Sequence, residues 1–347
     1  MAGLLHEGIE GISSIGHMQT YRALGGLVKV FLGTLLVAGA AGVLRAEEPT
    51  TFRVVTWNVE WFPGRAPKST QEAKDSQIAA VQTALAEMKP DILLLQEVRD
   101  QAAAELAMAK IPELKVAVFS KFDGQQQVAI ATRFPVNSGW SEAWTKTGKD
   151  DPPRGFNFAA IELPGDEKRL LMTYTFHFKS NRGPDSQLQA NMAKREAAGR
   201  QLGQHIQDIV PKYADQGKLS WLLGGDCNTS LDDPKYESEQ TLRALEKGGL
   251  KWVFEGVPTT ERETLPAEEK YPATTFDHLL YRDLELVSVK VPTQYPLGSD
   301  HRPVVAEFKI PGKEEVKPMA AADEPKAAEP APTPTPAPAP APVSVVP

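Results

Sequence analysis

The sequence has one cysteine in 347 residues, no excess of basic residues and one long uncharged apolar run. The lone Cys227 excludes an intramolecular disulfide and a cysteine-rich zinc site. With 38 Lys and Arg against 45 Asp and Glu, the net charge of −7 excludes the strongly basic field that drives tight, non-specific binding of nucleic acid. What is present is 41% hydrophobic and 24% charged residues, which is the composition of a folded globular protein.

The apolar run, residues 30–44, lies near the N-terminus, with Arg22 and Lys29 before it and an acidic stretch after it. A basic flank followed by a short apolar stretch is the layout of a secretory signal peptide. The run is shorter than the roughly 18 residues expected of a membrane span. The sequence therefore predicts that residues 1–46 are a signal peptide, with a retained N-terminal anchor as the alternative. We expect export to the periplasm or the extracellular space.

The other end of the chain is rich in proline, since 11 of the 29 prolines follow Lys309. Residues 312–347 finish in alternating Ala and Pro, which lack the side chains to bury a core and favour extended conformations. We predict a disordered Pro/Ala-rich tail there. Residues 47–311 remain, and this length suits one α/β domain or two small ones.

Short apolar segments in this central part alternate with amphipathic ones. The first strand is predicted over residues 52–59 and the next over 91–96, because both are rich in β-branched and aliphatic residues. Residues 71–88 place apolar side chains three and four positions apart, which predicts a helix. Many short strands with few helices predict an α/β fold of two packed sheets flanked by helices. Further strands are predicted at 116–119, 128–132, 156–163, 170–175, 221–223, 274–281, 284–291 and 304–308, and a long helix between 185 and 210.

Polar side chains with acid, amide or imidazole groups stand at the ends of these predicted strands or in a short loop before the last one. Residues at the rim of a sheet can converge on one mouth without burying charge in the core. A turn or a helix cap explains one such residue, but not a whole series. The series consists of Asn58, Glu97, His177, Asp226, Asn228, Asp277, Asp300 and His301.

Six motifs that contain these residues resemble, in order, those of the endonuclease/exonuclease/phosphatase superfamily of deoxyribonuclease I-like, metal-dependent phosphoesterases. The resemblance extends over residues 52–308 and is closest to secreted bacterial members. It implies a four-layer α/β sandwich with two packed, mostly antiparallel sheets flanked by helices, and makes residues 47–311 one domain. The motifs are TWNVE (56–60), LLLQEV (93–98), HFKS (177–180), GGDCN (224–228), FDH (276–278) and GSDHRPV (298–304).

The resemblance also implies a metal site. Glu97 resembles the metal-binding glutamate of the family, Asn58 resembles the amide that supports the metal or the phosphate, and Asp300 supplies a second carboxylate. Hard divalent ions prefer such oxygen ligands. The expected cofactor is Mg²⁺ or Mn²⁺, with Ca²⁺ as an alternative.

The same resemblance assigns the catalytic groups. His301 resembles the catalytic histidine and Asp277 the carboxylate that orients it, which fixes the tautomer of the imidazole. Asp226 positions or deprotonates the attacking water, and Asn228 hydrogen-bonds the phosphoryl oxygens. His177 resembles a second histidine that donates to a non-bridging oxygen or assists the leaving group. Whether His301 or Asp226 is the general base is left open.

Three further residues are predicted to contact the substrate phosphate, namely Arg154, Lys179 and Asn181, with ordinary loop residues as the alternative. Two neighbours of the catalytic groups are excluded from the site, because alternate residues of a strand face opposite ways. Cys227, which stands where an aromatic residue is common in the family, is expected to be a buried hydrophobe. His278 is expected to face away from the catalytic groups.

The predicted reaction is hydrolysis of phosphodiesters by in-line attack of an activated water, in an exported nuclease or phosphodiesterase. The alternatives are a phosphomonoesterase or a lipid phosphoesterase of the sphingomyelin or inositol type, and a catalytically silent binding module. The sequence shows no inositol-phosphatase signature and no dense interleaving of basic and aromatic residues typical of a DNA groove. The expected partner is a phosphate-ester substrate, with DNA or RNA as candidates. No protein partner is indicated, a monomer is expected, and membrane contact requires the N-terminal segment to be retained.

Overall fold

The computed structural model describes residues 51–310, apart from residues 166, 270 and 295–297. The predicted signal segment, residues 1–46, and the predicted tail, residues 312–347, lie outside the described residues. Within the described part, no helix combines the length and the apolar character that a membrane crossing requires.

Two sheets of six strands each form the centre of the described part. The first sheet contains β1 to β4 with β11 and β12, and the second contains β5 to β10. The strands are β1 Thr51–Phe62, β2 Ile92–Val98, β3 Lys115–Phe119, β4 Gln127–Thr132, β5 Val136–Ala143, β6 Gly155–Leu163, β7 Arg169–His177, β8 Lys218–Asp226, β9 Lys251–Trp252, β10 Asp277–Arg282, β11 Glu285–Lys290 and β12 Val304–Lys309.

The two sheets have the same plan. The strand orders are β11-β12-β1-β2-β4-β3 and β5-β6-β7-β8-β10-β9. In each sheet the middle pair, β1 with β2 or β7 with β8, is parallel, and the other pairs are antiparallel. The predicted fold class, with two mostly antiparallel sheets, is therefore confirmed.

Helices cover the outer face of each sheet. The helices α1 Gln71–Met88 and α2 Gln101–Ala107 pack on the first sheet, and α3 Leu188–Tyr213 and α4 Thr241–Lys247 pack on the second. The predicted helix 71–88 is confirmed at both ends. Thr70 caps it by accepting from the Ala73 amide at 3.2 Å, and it ends at Lys89, whose φ is 49°.

The core has three layers, because each strand sends alternate side chains to opposite faces. Along β1, Phe52 and Val54 pack between the two sheets, whereas Val55 and Trp57 pack against α1 and α2. The second sheet divides its side chains in the same way between the inter-sheet layer and a core under α3 and α4. The result is the four-layer sandwich that the resemblance implied.

Four described elements were not predicted, namely α2, α4, β5 and β9. The two helices have seven residues each, too few to repeat an apolar stripe, and β9 has two residues. The strand β5 is an edge strand with mostly exposed or half-buried side chains. The first strand also runs beyond its predicted end to Phe62, with a register shift after Asn58.

Candidate active site

Four of the predicted site residues lie where the inter-sheet layer reaches its edge. Each of them is an even number of positions along its strand from an apolar residue of that layer and therefore faces the same way. They are Asn58 on β1, His177 on β7, Asp226 on β8 and Asp277 on β10. All four are buried. In the ladder of the second sheet, Asp226 pairs with His177 on one side and with Asp277 on the other. The alternation of strand residues therefore brings these side chains together.

The glycines before Asp226 allow this close approach. A Cβ at Gly224 would lie 2.6 Å from side-chain atoms of Leu279 and of Leu94 on the facing sheet. A Cβ at Gly225 would lie 2.0 Å from the carbonyl oxygen of Phe176. The backbone contact leaves room only for glycine at position 225, and a larger residue at position 224 would displace two buried leucine side chains.

Glu97 reaches the site by a departure from strand geometry. The alternation along β2 places Gln96 on the inner face and Glu97 on the outer one, but Glu97 has a φ of +60° and the ladder to β4 shifts register there. Its side chain lies beside Asn58, whose Nδ2 donates to Glu97 Oε1 at 3.3 Å. A positive φ is rare for a residue with a side chain and is found preferentially at functional sites.

Asn58 links two carboxylates. Its Nδ2 donates to Asp226 Oδ2 at 2.9 Å as well as to Glu97, and its Oδ1 accepts from the backbone N–H of Glu60 at 3.0 Å. Through its two Nδ2 hydrogen bonds Asn58 supports the carboxylates on either side of it. Its role as a direct metal ligand stays a prediction.

His301 and Asp277 form a hydrogen-bonded pair. His301 Nδ1 lies 2.7 Å from Asp277 Oδ2, and the other ring nitrogen, Nε2, lies 3.8 Å from Asp226 Oδ2. Burial alone would lower the pKa of His301, but the negative charges of Asp277 and Asp226 outweigh it and hold the pKa well above its usual value. The two carboxylates therefore favour the charged form of the imidazole, and its Nε2 faces Asp226.

The loop that carries His301 is attached to β1. Ser299 Oγ donates to the carbonyl oxygen of Asn58 at 2.6 Å and accepts from the His301 amide at 3.0 Å. Trp57 Nε1 donates to the carbonyl oxygen of His301 at 2.9 Å. These contacts fix the position of the histidine relative to Asn58, and so relative to both sheets.

His177 lies on the other side of Asp226. Its Nε2 is 3.4 Å from Asp226 Oδ2 and 3.8 Å from Glu97 Oε1. Burial, together with the positive charges of Arg154 and His301, lowers the pKa of His177. A neutral imidazole at this place can donate one hydrogen bond through Nε2 to a phosphoryl oxygen.

Asp226 is the centre of the group. It is fully buried, and this burial, with the neighbouring charges of Asp277 and Glu97, raises its pKa, while His301 and the Asn58 hydrogen bond act in the opposite direction. The amide of Asn228 donates to Asp226 Oδ1 at 2.9 Å, which is possible because Asn228 has a φ of +51°. Both oxygens of Asp226 are thus held in position.

The guanidinium of Arg154 hydrogen-bonds the backbone at the end of β7. It donates to the carbonyl oxygens of His177 at 3.0 Å and Phe178 at 2.7 Å, and to Gln126 Oε1 at 3.2 Å. The residue thereby supports the end of β7. Its predicted contact with a substrate phosphate stays a prediction.

Lys179 and Asn181 lie in the loop that follows His177. Lys179 Nζ donates to the carbonyl oxygen of Ser180 at 2.9 Å. Asn181 Nδ2 donates to the carbonyl oxygen of Asn228 at 2.5 Å, and its Oδ1 accepts from the buried Arg195 at 2.8 Å. Asn181 therefore ties this loop to the loop after Asp226, and substrate contact by either residue is untested.

Two exclusions made from the sequence are confirmed. Cys227 is buried in the outer core under α3 and α4. His278 is also buried and bonds Trp252 and the carbonyl oxygen of Thr229, not the catalytic groups.

The sequence analysis missed Glu60, although it lies in the TWNVE motif. Its Oε2 accepts from the Asp300 amide at 3.1 Å, and its pKa is raised by burial and by the charges of Asp300 and Glu97. Alternation along β1 does not place Glu60 in the site, because Glu60 has a φ of 44° and follows the register shift after Asn58; its place in the motif was the only signal. Asp300 in turn forms an ion pair with Arg182, with Nη2 and Oδ2 at 2.8 Å.

Glu60, Glu97 and Asp300 are candidate ligands of a divalent cation. Burial, together with the charges of Asp300 and Glu97, raises the pKa of Glu60, and a neighbouring cation would offset both effects. Oxygen donors of this kind suit a hard ion. A second group, Asp226, Asp277 and His301, has potential ligand atoms within 4.8 Å of one another, but its histidine and Asp277 already bond each other.

Two packed sheets, a buried Asp–His pair and neighbouring carboxylates are features expected of a metal-dependent phosphoesterase. The chain belongs to the endonuclease/exonuclease/phosphatase family, whose model matches residues 55–301. It is therefore an enzyme that hydrolyses phosphoric ester bonds with the help of a divalent metal. No curated protein matches the sequence.

Solved structures of low sequence identity share the fold. The human Nocturnin catalytic domain with bound sulfate is 18% identical, with a TM-score of 0.55 over 75% of this chain and 94% of that one. A D. rerio TDP2 humanised by 14 mutations is 17% identical, with a TM-score of 0.53 over 76% and 100% of the two chains. Sphingomyelinase C from Streptomyces griseocarneus is 16% identical, with a TM-score of 0.50 over 74% and 99%.

Proposed function

We propose that the protein hydrolyses phosphodiester bonds by direct in-line attack of water, as an exported nuclease or phosphodiesterase. The observation that carries this proposal is the position of Asp226 between two histidines, with Nε2 of His177 at 3.4 Å and Nε2 of His301 at 3.8 Å from its Oδ2. A phosphoryl group at this place meets a hydrogen-bond donor on each side and a carboxylate that can align water.

Asp226 is the group that takes the proton of the water. We favour Asp226 over His301 for this role because Asp277, at 2.7 Å from His301 Nδ1, favours the imidazolium form, and a protonated imidazole donates hydrogen bonds and cannot serve as a base. His301 then donates from Nε2 to a phosphoryl oxygen, and His177 donates to another oxygen or to the leaving group. Asn58 and Asn228 keep Asp226 oriented through their N–H groups.

Glu97 and Asp300, with Glu60 beside them, would hold the metal. When bound, a divalent cation supplies charge neutralisation for the phosphoryl oxygens. We propose Mg²⁺ as the working ion, because the three residues offer carboxylate oxygens.

The first prediction concerns catalysis. Glu97→Gln and His301→Gln should each lower kcat/KM for bis-(4-nitrophenyl) phosphate by about 10² to 10⁴, the range for electrostatic and acid–base groups. EDTA should abolish turnover, and Mg²⁺ should restore it. Glu113→Gln, a change of the same kind at an exposed position, is the control and should keep wild-type activity. Full activity in either site variant, or in EDTA, would contradict the proposal.

Two further parts of the proposal concern substrate and location. The sphingomyelinase fold neighbour supports the lipid phosphodiesterase alternative, and phosphomonoesters are the other one. Turnover of oligonucleotides, sphingomyelin vesicles, inositol phosphates and 4-nitrophenyl phosphate separates these classes.

Export is supported by the apolar run at residues 30–44. Cell fractionation of the full chain tests it, and recovery of the protein in the cytoplasm alone would contradict it.

A further inference from the structure

A cavity of about 470 Å³ opens beside the catalytic group. It shares Glu60 and Asp300 with the proposed metal site, and its outer wall is formed by Trp61, Arg65 and Arg182. Its size falls within the roughly 300 to 1,000 Å³ of small-molecule sites. Because Ser299 and Asp300 line this space next to His301, it can accommodate a group that neighbours the phosphate of a substrate.

The wall of the cavity contains a flat surface formed by Trp61 and Arg65. Trp61 is half-buried, has a φ of +52°, and its backbone N–H donates to Glu97 Oε2 at 3.2 Å. The guanidinium of Arg65 lies over the indole, 4.5 Å from the ring centroid. Arg65 begins a turn in which its carbonyl oxygen accepts from Lys68 and Ser69 at 2.8 and 2.9 Å. The indole and the guanidinium are therefore layered before any ligand arrives.

The acidic and the basic residues of the cavity lie in different parts of its wall. Glu60 and Asp300 are at the inner end, whereas Arg65 is exposed at the outer end and forms no ion pair with another described residue. Arg182, which pairs with Asp300, keeps 74% of its side chain exposed. The outer end therefore attracts an anionic group. A quaternary ammonium head group is disfavoured there, because Arg65 already covers the face of Trp61 on which such a cation would bind.

We propose that this cavity is a subsite for the nucleoside next to the scissile phosphate, so that the substrate is a single-stranded nucleic acid. The base stacks on the outer face of the Arg65 guanidinium, whose inner face lies over Trp61, and both arginines attract the following phosphate. A base is free to stack in this way only when it is not stacked in a duplex. This inference rests on the proposed phosphodiesterase function, and it adds to that function the class of substrate and the residues that recognise it.

The test compares substrates that differ only in their bases. Wild-type kcat/KM should be about 5- to 100-fold higher for a single-stranded oligonucleotide than for an abasic oligonucleotide of the same length, as expected for stacking of one base. Trp61→Leu should bring this ratio close to one, and Trp61→Tyr should retain most of it. Arg65→Ala should raise KM and weaken its dependence on salt. The exposed Arg200→Ala on α3 is the matched control and should keep the wild-type ratio and salt dependence.

Several outcomes would overturn the subsite. A wild-type ratio near one, or a ratio that Trp61→Leu leaves unchanged, would show that no base is recognised there. Faster turnover of sphingomyelin vesicles than of the oligonucleotide would assign the cavity to a lipid head group. These outcomes leave hydrolysis of bis-(4-nitrophenyl) phosphate intact. Loss of metal-dependent turnover of that small diester in the wild type would instead contradict the proposed function itself.

Discussion

His278 shows how one residue next to the catalytic group stabilises the layer behind it. Its Nδ1 accepts from Trp252 Nε1 at 2.9 Å, so the proton of the neutral ring is on Nε2, which donates to the carbonyl oxygen of Thr229 at 2.8 Å. Burial lowers the pKa of His278 to about 4. Thr229 follows Asn228 directly, and the histidine thus anchors the loop that carries Asp226 and Asn228.

This pKa predicts a loss of stability in acid. The folded pKa lies below the ordinary 6.5, so the stability that the neutral ring provides is complete above 6.5 and is lost as the pH falls towards 4. By linkage, the free energy of unfolding should fall by about 2 kcal/mol through His278 between about pH 7.5 and about pH 5. Urea denaturation at the two pH values, in the wild type and in His278→Asn, measures this difference.

The control for that measurement is His205→Gln. His205 is another histidine with a lowered pKa, and it lies on α3, away from the site. Its variant should retain the part of the pH dependence that belongs to His278. An equal pH dependence in the wild type and in His278→Asn would contradict the assignment.

At the same scale, the sequence was informative where a residue follows the alternation of its strand. Four side chains could be expected to meet, because each lies on the face of its strand that packs between the two sheets. They are Asn58, His177, Asp226 and Asp277. Glu97 could not be placed by alternation, because its positive φ reverses the face. Its assignment came from the resemblance of the motif.

The pairing of Trp61 with Arg65 could not be predicted from the sequence either. It depends on the turn after β1, which returns the chain over the indole. Nothing in the order of those residues fixes that turn. A single pair of this kind leaves no dense basic and aromatic pattern in the sequence.

Among the elements, α1 does more than cover the first sheet. Gln77 on α1 directs its Nε2 at three carbonyl oxygens, of Val59 at 3.0 Å, Glu60 at 2.9 Å and Gly298 at 2.7 Å, and its Oε1 accepts from the Gly64 amide at 2.7 Å. The helix thus joins the end of β1 to the loop that carries Asp300 and His301.

Gln77→Ala should therefore reduce activity through the position of this loop. We expect kcat to fall by about tenfold with a smaller change in KM, because misplacement of catalytic groups by a fraction of an ångström has effects of this order. Loss of these hydrogen bonds should also cost about 1 to 3 kcal/mol of stability. Steady-state kinetics and urea denaturation of the same preparation provide both values.

Gln82→Ala is the matched control, because Gln82 is on the same helix and donates to the carbonyl oxygen of Leu106 at 2.8 Å, away from the site. It should lose stability without a comparable loss of kcat. If Gln77→Ala keeps the wild-type kcat, or if Gln82→Ala loses as much, Gln77 does not position the loop.

Prediction of elements succeeded in proportion to their length and burial. The 18-residue α1 has enough turns to show its apolar face, and Pro90 marks its end. The helices α2 and α4 have two turns each, and β5 at the sheet edge has no fully apolar face. The positions of these elements are determined by the sheets on which they pack, which a local sequence pattern does not contain.

On the scale of the whole molecule, the site joins two sheets of the same plan. The first sheet and its loops supply Asn58, Glu97 and His301, and the second supplies Asp226 and Asp277. Two hydrogen bonds cross from one group to the other, Asn58 to Asp226 and His301 to Asp277. The mutually repelling carboxylates Glu60, Glu97 and Asp300 are next to this junction, so a ligand that reduces their repulsion should stabilise the folded protein.

A divalent metal should consequently raise the melting temperature of the protein. A ligand that binds only the folded state at about 100 times its Kd adds about 2.7 kcal/mol, which corresponds to roughly 5 to 10 °C for a domain of this size. Differential scanning calorimetry in EDTA and in increasing Mg²⁺ measures the shift. Glu97→Gln should remove most of it, because it removes a ligand oxygen with its charge.

Glu60→Gln distinguishes the effect of repulsion among the carboxylates from the effect of metal binding on the melting temperature. The charge of Glu60 is repelled by Asp300 and Glu97, so its removal should raise the melting temperature of the metal-free protein and at the same time reduce the shift caused by Mg²⁺. Glu113→Gln, at an exposed position, should change neither value. A Mg²⁺ shift of wild-type size in both Glu60→Gln and Glu97→Gln would place the metal elsewhere, with Asp226, Asp277 and His301 as the group to test next, because their ligand atoms lie within 4.8 Å of one another.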